Sequence, residues 1–421
     1  LRILLYGINY APELTGIGKY TGEMAAFLAA SGDEVEVITA PPYYPHWSVQ
    51  GGYANAYREE YIDGVRVYRC PLYVPGEVTG PKRILHEFSF VLSSLRYWIP
   101  RYFRRYDAIV CISPPFHLGF PGLVHKWLHG TRVINHIQDL QVDAARDLGI
   151  IKNRSLLRFL EQAERWLLRR MSLVTTISTG MRSKLLAKGL PEEQLALFPN
   201  WVDNELVYPV ARADSLRADW GFAENDRVVL YAGNLGEKQG LEQILLLAER
   251  LRNVARLTFV IVGEGGAKDR LIAERDRLGL GNVQFKPLQP LELLAPMLAA
   301  ADVHLVLQKK AAADLVLPSK LTNILAVGGH ALITAEPGTT LYDTAQEHRL
   351  GTIVAPEDID ALEAGLTEIL TGHRHDDATG AADYAHDYLA KETILSRFRR
   401  LLGFDFKTLN TQQHNHGTDY Y

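Results

Sequence analysis

The sequence predicts an α/β protein made of two doubly wound, Rossmann-like domains that face a cleft. Three observations carry that prediction. Short apolar runs alternate with amphipathic helical stretches along most of the chain, the grammar of parallel sheets. The alternation restarts after a polar stretch at 202–226, which marks a domain boundary. Glycine-rich turns follow several strands and open the next helix, the place where open parallel sheets hold ligands.

Taken in order, residues 3–6 form a short apolar strand, a loop with Pro12, Gly16 and Gly18 follows, 20–30 has helical spacing, and 35–39 is a second strand. Strand 66–69, the aromatic helical stretch 84–102, and strands 108–112 and 133–137 come next. The amphipathic helix 156–170, strand 173–177 and a short strand at 197–199 complete the first half. The second half reads strand 227–232, helix 242–251, strand 257–262, helix 268–278, strand 283–286 and helix 291–300. Strand 303–307, helix 320–327, strand 331–334, a short strand around Ile353, and helices 360–370 and 392–402 end the pattern. The expected domains are 1–201 and 202–383, with a terminal helix at 384–403 crossing back to the first domain and a disordered tail at 404–421.

Composition sets limits on function. The chain has 421 residues, 47% of them apolar, which is enough for each domain to bury a core. Net charge is -4, which argues against a general nucleic-acid binder. Residues 1–200 carry 23 Lys and Arg against 18 Asp and Glu, and the remainder 22 against 31, so the two halves are expected to meet different partners. Two cysteines, Cys70 and Cys111, lack the spacing of a disulfide framework or metal cage and suggest a reducing compartment. The opening strand is too short for a secretory signal, and Leu1 points to a trimmed natural start. The absence of an 18-residue apolar run predicts no membrane span.

Four strand-to-helix turns concentrate the candidate chemistry. The first, Glu13 to Tyr20, places Gly16 and Gly18 where backbone amides can approach an anion, though its spacing is not G-x-G-x-x-G. In the second, Gly233, Gly236 and Gly240 surround Lys238, with Asn234 and Gln239 beside it. A lysine at a helix start suits a diphosphate leaving group, because its ammonium is a compact charge with three donors. The third turn carries Glu264 and Gly265, and Glu264 is either a hydroxyl acceptor or an exposed loop acid. The fourth, Pro318-Ser319-Lys320, fits a helix start whose amides and hydroxyl bind phosphate oxygens, with Asn323 one turn on. In the first half, His136 and Asp139 end a strand, where either could position an acceptor hydroxyl or take its proton; His117 is a weaker candidate. There is no H-E-x-x-H and no Cys/His ligand spacing, so neither metal nor cofactor is expected. G-x-S-x-G and the P-loop are also absent, which argues against a hydrolase elbow or an ATPase.

Taken together, these stretches resemble glycosyltransferase family 4, with the two-domain fold called GT-B, from about residue 1 to 403. Asn9 to Glu13 with Gly16 and Gly18, Thr39 to Pro45, His136 to Asp139 with Val142 to Ala144, Gly233 to Gly240, and Leu317 to Leu321 carry the resemblance. They look most similar to colanic acid biosynthesis fucosyltransferase-like members. The resemblance implies a retaining, metal-independent transfer, with Lys238 on the donor diphosphate, Gly16 and Gly18 near it, and 286–289 by the nucleotide base. It implies a nucleotide-sugar donor, with GDP-fucose the best reading, and a lipid-linked saccharide acceptor. Three positions depart from the family pattern. Asn234 stands where many relatives have arginine. Leu315 and Asn323 occupy a frequent pair of glutamates. Gln138 replaces the histidine of a His-Asp pair.

The basic, aromatic stretch 82–106 and helix 158–170 suit an anionic membrane surface. The expected location is therefore cytoplasmic, peripheral on the inner face of the membrane, with no nucleic acid as partner. Two other functions stay open on sequence: a sugar-nucleotide 2-epimerase of similar fold, and a non-catalytic sugar-nucleotide binder.

Overall fold

The structure is a computed structural model. It describes residues 1–13, 16–76, 79–147, 153–204, 206–236, 239–310, 318–373, 378 and 380–403. The chain forms two compact units. One joins Leu1–Pro199 to the chain from Leu395 onward, and the other is Asn200–Ile394.

In the first unit the strands are β1 (Arg2–Tyr6), β2 (Glu34–Thr39), β3 (Arg58–Ile62), β4 (Val65–Arg69), β5 (Ala108–Ser113), β6 (Arg132–Ile137), β7 (Leu173–Thr176) and β8 (Leu195–Leu197). They make one sheet in the order β3-β4-β2-β1-β5-β6-β7-β8, parallel except for the antiparallel edge pair β3–β4. The order reverses between β1 and β5, which pair directly, Leu4 opposite Ile109. β1 and β5 are buried almost throughout, as parallel strands covered on both faces must be.

The helices of this unit are α1 (Gly16–Ala30), α2 (Gly80–Arg101), α3 (Gly119–His129), α4 (Gln141–Asp147), α5 (Arg154–Leu168) and α6 (Thr179–Ala187). Local chemistry sets their ends. Pro81 sits in the first turn of α2, where its missing N–H costs nothing. Asn153 caps α5 by accepting from the amides of Ser155 and Leu156. Gly130 closes α3 in the left-handed region at φ 69°. On its inner face α2 is tied to the sheet by a buried ion pair, Arg101 to Glu36, with the Tyr106 hydroxyl donating to the same carboxylate at 2.9 Å.

The second unit holds β9 (Arg227–Ala232), β10 (Leu257–Val262), β11 (Val283–Lys286), β12 (Val303–Val306), β13 (Ala331–Thr334) and β14 (Gly351–Val354). The sheet runs β11-β10-β9-β12-β13-β14, parallel throughout. This is the doubly wound order, with its reversal between β9 and β12. The helices are α7 (Glu242–Arg250), α8 (Lys268–Leu278), α9 (Leu294–Ala299), α10 (Ser319–Ala326), α11 (Thr340–Glu347), α12 (Ile359–Leu370), α13 (Ala381–Leu389) and α14 (Lys391–Gly403). Alternate strand residues feed two cores. Val228, Leu230, Val260 and Val262 pack with α9, α10, α11 and α13, and Val229, Tyr231, Phe259 and Ile261 pack with α7, α8 and α12. That split is the period-two alternation of a strand.

From Leu395 on, α14 belongs to the first unit. Arg399 Nε donates to Asp33 at 2.7 Å, and the Phe398 ring stacks on Phe198 at 3.9 Å. Where 291–300 is expected as one helix, the structure has a 3₁₀ turn at Leu291–Leu293 before α9. Strand 197–199 sits two residues earlier, at β8. β3, α3, α4, α6 and α11 are additional elements, and the expected terminal helix at 384–403 is two helices, α13 and α14, parted at Ala390. The expected tail, 404–421, lies outside the described residues.

The turns after β9 and β10 meet backbone to backbone. Gly233 N–H donates to the Val262 carbonyl and Leu235 N–H to the Glu264 carbonyl, both at 2.9 Å. A Cβ on Gly263 would strike the Gly233 carbonyl oxygen and lie 3.1 Å from its carbon, whereas one on Gly266 would meet nothing within 4 Å. Gly263→Ala should therefore destabilise the protein by roughly 1–3 kcal/mol, and Gly266→Ala should stay within about 0.5 kcal/mol of the parent. Denaturant unfolding of both variants checks this. Equal effects would contradict the close approach.

Candidate functional site

In the second unit, a cavity of about 250 Å³ opens where the strand order reverses. Strand β9 contributes Leu230 and Ala232, the turn after it Gly233, and β12 contributes His304 and Leu305. Leu294, Met297 and Leu298 of α9 form an apolar wall, and Lys320 and Asn323 enter from the first turns of α10. Leu288 and Gln289 close another side, which puts part of the 286–289 segment at this cavity.

Lys320 is the dominant charge here. Its Nζ donates to the Tyr231 hydroxyl at 2.8 Å and lies 4.2 Å from the centre of that ring. The Tyr231 hydroxyl in turn donates to the Asn234 carbonyl at 2.8 Å, so the lysine, β9 and the following turn form one hydrogen-bonded chain. Among the described residues no carboxylate pairs with Lys320. Burial of the ammonium pushes its pKa down to about 8.

The other expected donor-side residues divide. Gly265 has its backbone pressed against Leu235, and Asn234 is exposed in the facing turn. Glu264 is more than half exposed and accepts from Lys268 Nζ at 2.5 Å, so in this structure it is an ion-paired loop acid. Gln239 has a buried Oε1 without a hydrogen-bond partner. Lys238 lies outside the described residues, as do Leu315 and the side chain of Ser319; Ser319 itself opens α10.

In the first unit, the edge beyond β1, β5 and β6 is lined by buried polar groups. Glu13 is 2% exposed, and its Oε1 accepts from the amides of Tyr43 and Tyr44, each at 3.0 Å, while Asn9 donates to Oε2 at 3.0 Å. Desolvation still raises its pKa. Gly18 is required by that carboxylate, because a Cβ there would collide with Glu13 Oε2 and lie 2.7 Å from Glu13 Cβ. Gly16, at φ 63°, opens α1 in the left-handed region and carries Tyr44 against it. Glu87 is a second buried acid. It accepts from Gln141 at 2.7 Å and from Arg83 at 3.1 Å, and burial raises its pKa.

His136 stands apart from these. It is 1% exposed and both ring nitrogens are engaged, Nδ1 with Thr175 at 3.0 Å and Nε2 with the Gln138 amide at 2.9 Å. Because an amide N–H can only donate, Nε2 accepts, and Nδ1–H donates to Thr175. Burial holds the pKa down at about 3. In this arrangement the ring is neutral and its lone pair is engaged by the Gln138 amide. His136 thereby holds the Gln138 side chain at the end of β6. Asp139, just beyond β6, is exposed. His117 stacks on Phe88 with ring centres 4.6 Å apart, and its Nε2 is buried without a partner. Its pKa falls to about 4 by burial.

Sequence reasoning misses Glu13 as a clasp, Glu87, Tyr231 and His304. Their partners are far away in sequence, and only the strand-end position of Tyr231 offered a signal. Among the described residues no group of three or more His, Cys, Asp or Glu is arranged to hold a metal ion.

Comparison with known proteins settles the class. Residues 15–201 match the Glycosyl transferase 4-like domain, and residues 213–386 match Glycosyl transferases group 1. The chain is 45% identical over 412 residues to the Escherichia coli (strain K12) protein named "Putative colanic acid biosynthesis glycosyl transferase WcaI", covering 94% of this chain and 98% of that one. The chain belongs to glycosyltransferase family 4. Solved structures share its GT-B fold. A sucrose-phosphate synthase from Thermosynechococcus elongatus superposes with a TM-score of 0.73 at 17% identity, covering 98% of this chain and 99% of that one. The Anabaena protein Alr3699/HepE, solved in complex with UDP-glucose, gives 0.65 at 16% identity, with 95% and 99% covered.

For the glycosyltransferase, Lys320 links pH to stability. Between about 8 and its ordinary 10.5, the unfolded chain binds more protons at this position than the folded chain. Stability therefore rises with pH across that window, and below it the fold bears the full cost of a buried ammonium. Lys320→Met should stabilise the enzyme at neutral pH by roughly 1–3 kcal/mol, a gain that fades as pH approaches 10.5. Urea unfolding at neutral and alkaline pH checks this, and an equal gain at both would contradict it.

Proposed function

We propose that this glycosyltransferase moves a sugar from a nucleotide diphosphate sugar to a lipid-linked saccharide in exopolysaccharide biosynthesis of the colanic acid type. GDP-fucose is the proposed donor. The observation that supports this reading is Lys320, a half-buried ammonium with no carboxylate partner among the described residues, placed at a cavity where the strand order reverses. Such a charge lacks a counter-ion, and a diphosphate supplies one. The colanic acid context rests on the likeness to WcaI. Fucose rests on the subgroup resemblance in the sequence motifs.

The proposed reaction retains the anomeric configuration and uses neither metal nor cofactor. The sugar C1–O bond to the diphosphate breaks, and a bond from the acceptor oxygen forms on the same face. The acceptor proton passes to the departing diphosphate oxygen, so no protein base is needed. Negative charge grows on the diphosphate as the bond stretches. Fixed cations there stabilise the transition state more than the ground state. Lys320 takes that role, with Lys238 and Ser319 as its proposed companions. The first unit is proposed to take the acceptor, with Asp139 orienting the attacking hydroxyl. A lipid-linked acceptor places the reaction at the cytoplasmic surface of a membrane.

The test is product analysis with GDP-fucose and a lipid-linked saccharide in the presence of a chelator. The expected product carries the fucosyl group with its donor configuration kept, as read by NMR of the anomeric proton. An isomerised donor formed without acceptor would indicate an epimerase. Donor binding without turnover on any acceptor would indicate a binding protein.

A further inference from the structure

The turn after β12 brings another cation to the strand-order reversal of the second unit. β9 and β12 are neighbours, and the order reverses between them, so a ligand in that crevice meets the turns that leave both strands. Lys320 reaches the crevice from α10, which packs on one face of the sheet. The described residues of the turn after β9, 233–236 and 239–241, carry no charge. A diphosphate carries more negative charge than one ammonium neutralises.

Lys309 stands on the other face. Its neighbours are held. Thr334 Oγ1 accepts from the Gln308 amide at 2.9 Å and donates to the Gln308 carbonyl at 3.3 Å. The Lys310 amide donates to Glu357 at 3.1 Å, and Lys310 Nζ pairs with Glu336 at 2.9 Å. Between them the half-buried Lys309 lays its stem against the start of α7. A Cβ on Gly240 would lie 3.2 Å from Lys309 Cγ and 3.5 Å from its Cε. α7 packs on the face opposite α10. Two lysines therefore flank the crevice from opposite sides of the sheet.

The two adjacent lysines differ in what they lack. Lys310 is exposed and has its carboxylate. No carboxylate pairs with Lys309 among the described residues, and Glu242, in the first turn of α7, is taken by Arg270 at 2.7 Å. A surface lysine without a counter-ion is ordinary, because water screens it. Lys309 is instead held by packing along Gly240, a position in the left-handed region at φ 63°. A stem already held by packing loses little rotamer freedom when its ammonium meets a ligand, so more of the contact appears as binding.

We propose that Lys309 is a second cation for the donor diphosphate, acting opposite Lys320 across the crevice between β9 and β12. The inference rests on the nucleotide diphosphate sugar proposed above and adds a residue that touches it. When the sugar C1–O bond breaks, its electron pair stays on the diphosphate oxygen, which leaves with the acceptor proton as the nucleoside diphosphate. Ammonium groups on two sides stabilise that growing charge better than one. Lys309 acts by charge alone and gives up no proton in the step.

The test is calorimetric binding of GDP, UDP and GMP to the full chain, with turnover of GDP-fucose measured beside it. Lys309→Met keeps most of the stem and removes the charge. It should weaken GDP about tenfold or more, weaken GMP less, and flatten the salt dependence of GDP binding. At saturating donor its turnover should fall about a hundredfold. Lys309→Arg should recover part of each loss. Lys310→Met should bind and turn over like the parent, since its ammonium is spent on Glu336 at the surface. All three should keep the parent's unfolding profile. Lys309→Met that binds GDP as tightly as the parent would overturn the inference, as would equal losses for GDP and GMP. If Lys320→Met loses GDP and Lys309→Met does not, the donor reading stands and Lys309 has no part in it. A parent that binds neither GDP nor UDP would overturn the donor reading and this inference with it. UDP bound in place of GDP, with the same loss in Lys309→Met, would support the inference and change only the base.

Discussion

The second unit is organised by how closely two turns approach. The Gly233 carbonyl occupies the space that any side chain on Gly263 would need, and the two turns then exchange amide–carbonyl bonds at 2.9 Å. This contact fixes the path of the chain leaving β9. It holds the Asn234 carbonyl where the Tyr231 hydroxyl can reach it, and it leaves that hydroxyl aimed at Lys320 Nζ. The glycine turn and the Tyr231–Lys320 hydrogen bond at the cavity are therefore linked through one backbone contact. A side chain at Gly263 would push on the Gly233 carbonyl and so on that turn.

The two sheet edges solve opposite electrostatic problems. At the first unit's edge burial raises the carboxyl groups of Glu13 and Glu87 and lowers His117 and His136. The histidines are neutral there, and each acid is offset by amide donors, with Arg83 also on Glu87. The second unit's edge has a lysine that burial discourages from being charged. A site that keeps an ammonium short of counter-ions gains most when an anion arrives. This asymmetry supports the proposal that the donor diphosphate binds beside Lys320.

Much of the fold was legible because buried parallel strands are unbroken apolar runs. The spans 227–232, 257–262, 283–286 and 331–334 coincide with β9, β10, β11 and β13. β3 was not legible. It is a charged, mostly exposed edge strand, so neither periodicity nor apolar content marks it. Nor was α3, whose first turns carry two glycines and a proline. At the sites, sequence could place Lys320 and Asn323 at a helix start, since Pro318 and Ser319 announce one. It could not show that Tyr231 holds Lys320, because the two are 89 positions apart. Nor could it show that His136 faces Thr175 inside the sheet, since a polar residue at a strand end reads the same whether it points inward or outward. Gly18 looked like a phosphate-loop glycine, and the contact that requires it is with the Glu13 carboxylate.

The central claim is that Lys320 is a diphosphate-binding cation at the strand-order reversal. Proton uptake on binding GDP tests it most directly, measured by calorimetry at about pH 9 in buffers of different ionisation enthalpy. Free Lys320 is mostly neutral at that pH, and an arriving diphosphate should restore its charge. The account predicts uptake of about one proton, lost in Lys320→Met together with most of the affinity. GDP binding with no proton uptake, or with the same uptake in the variant, would contradict it.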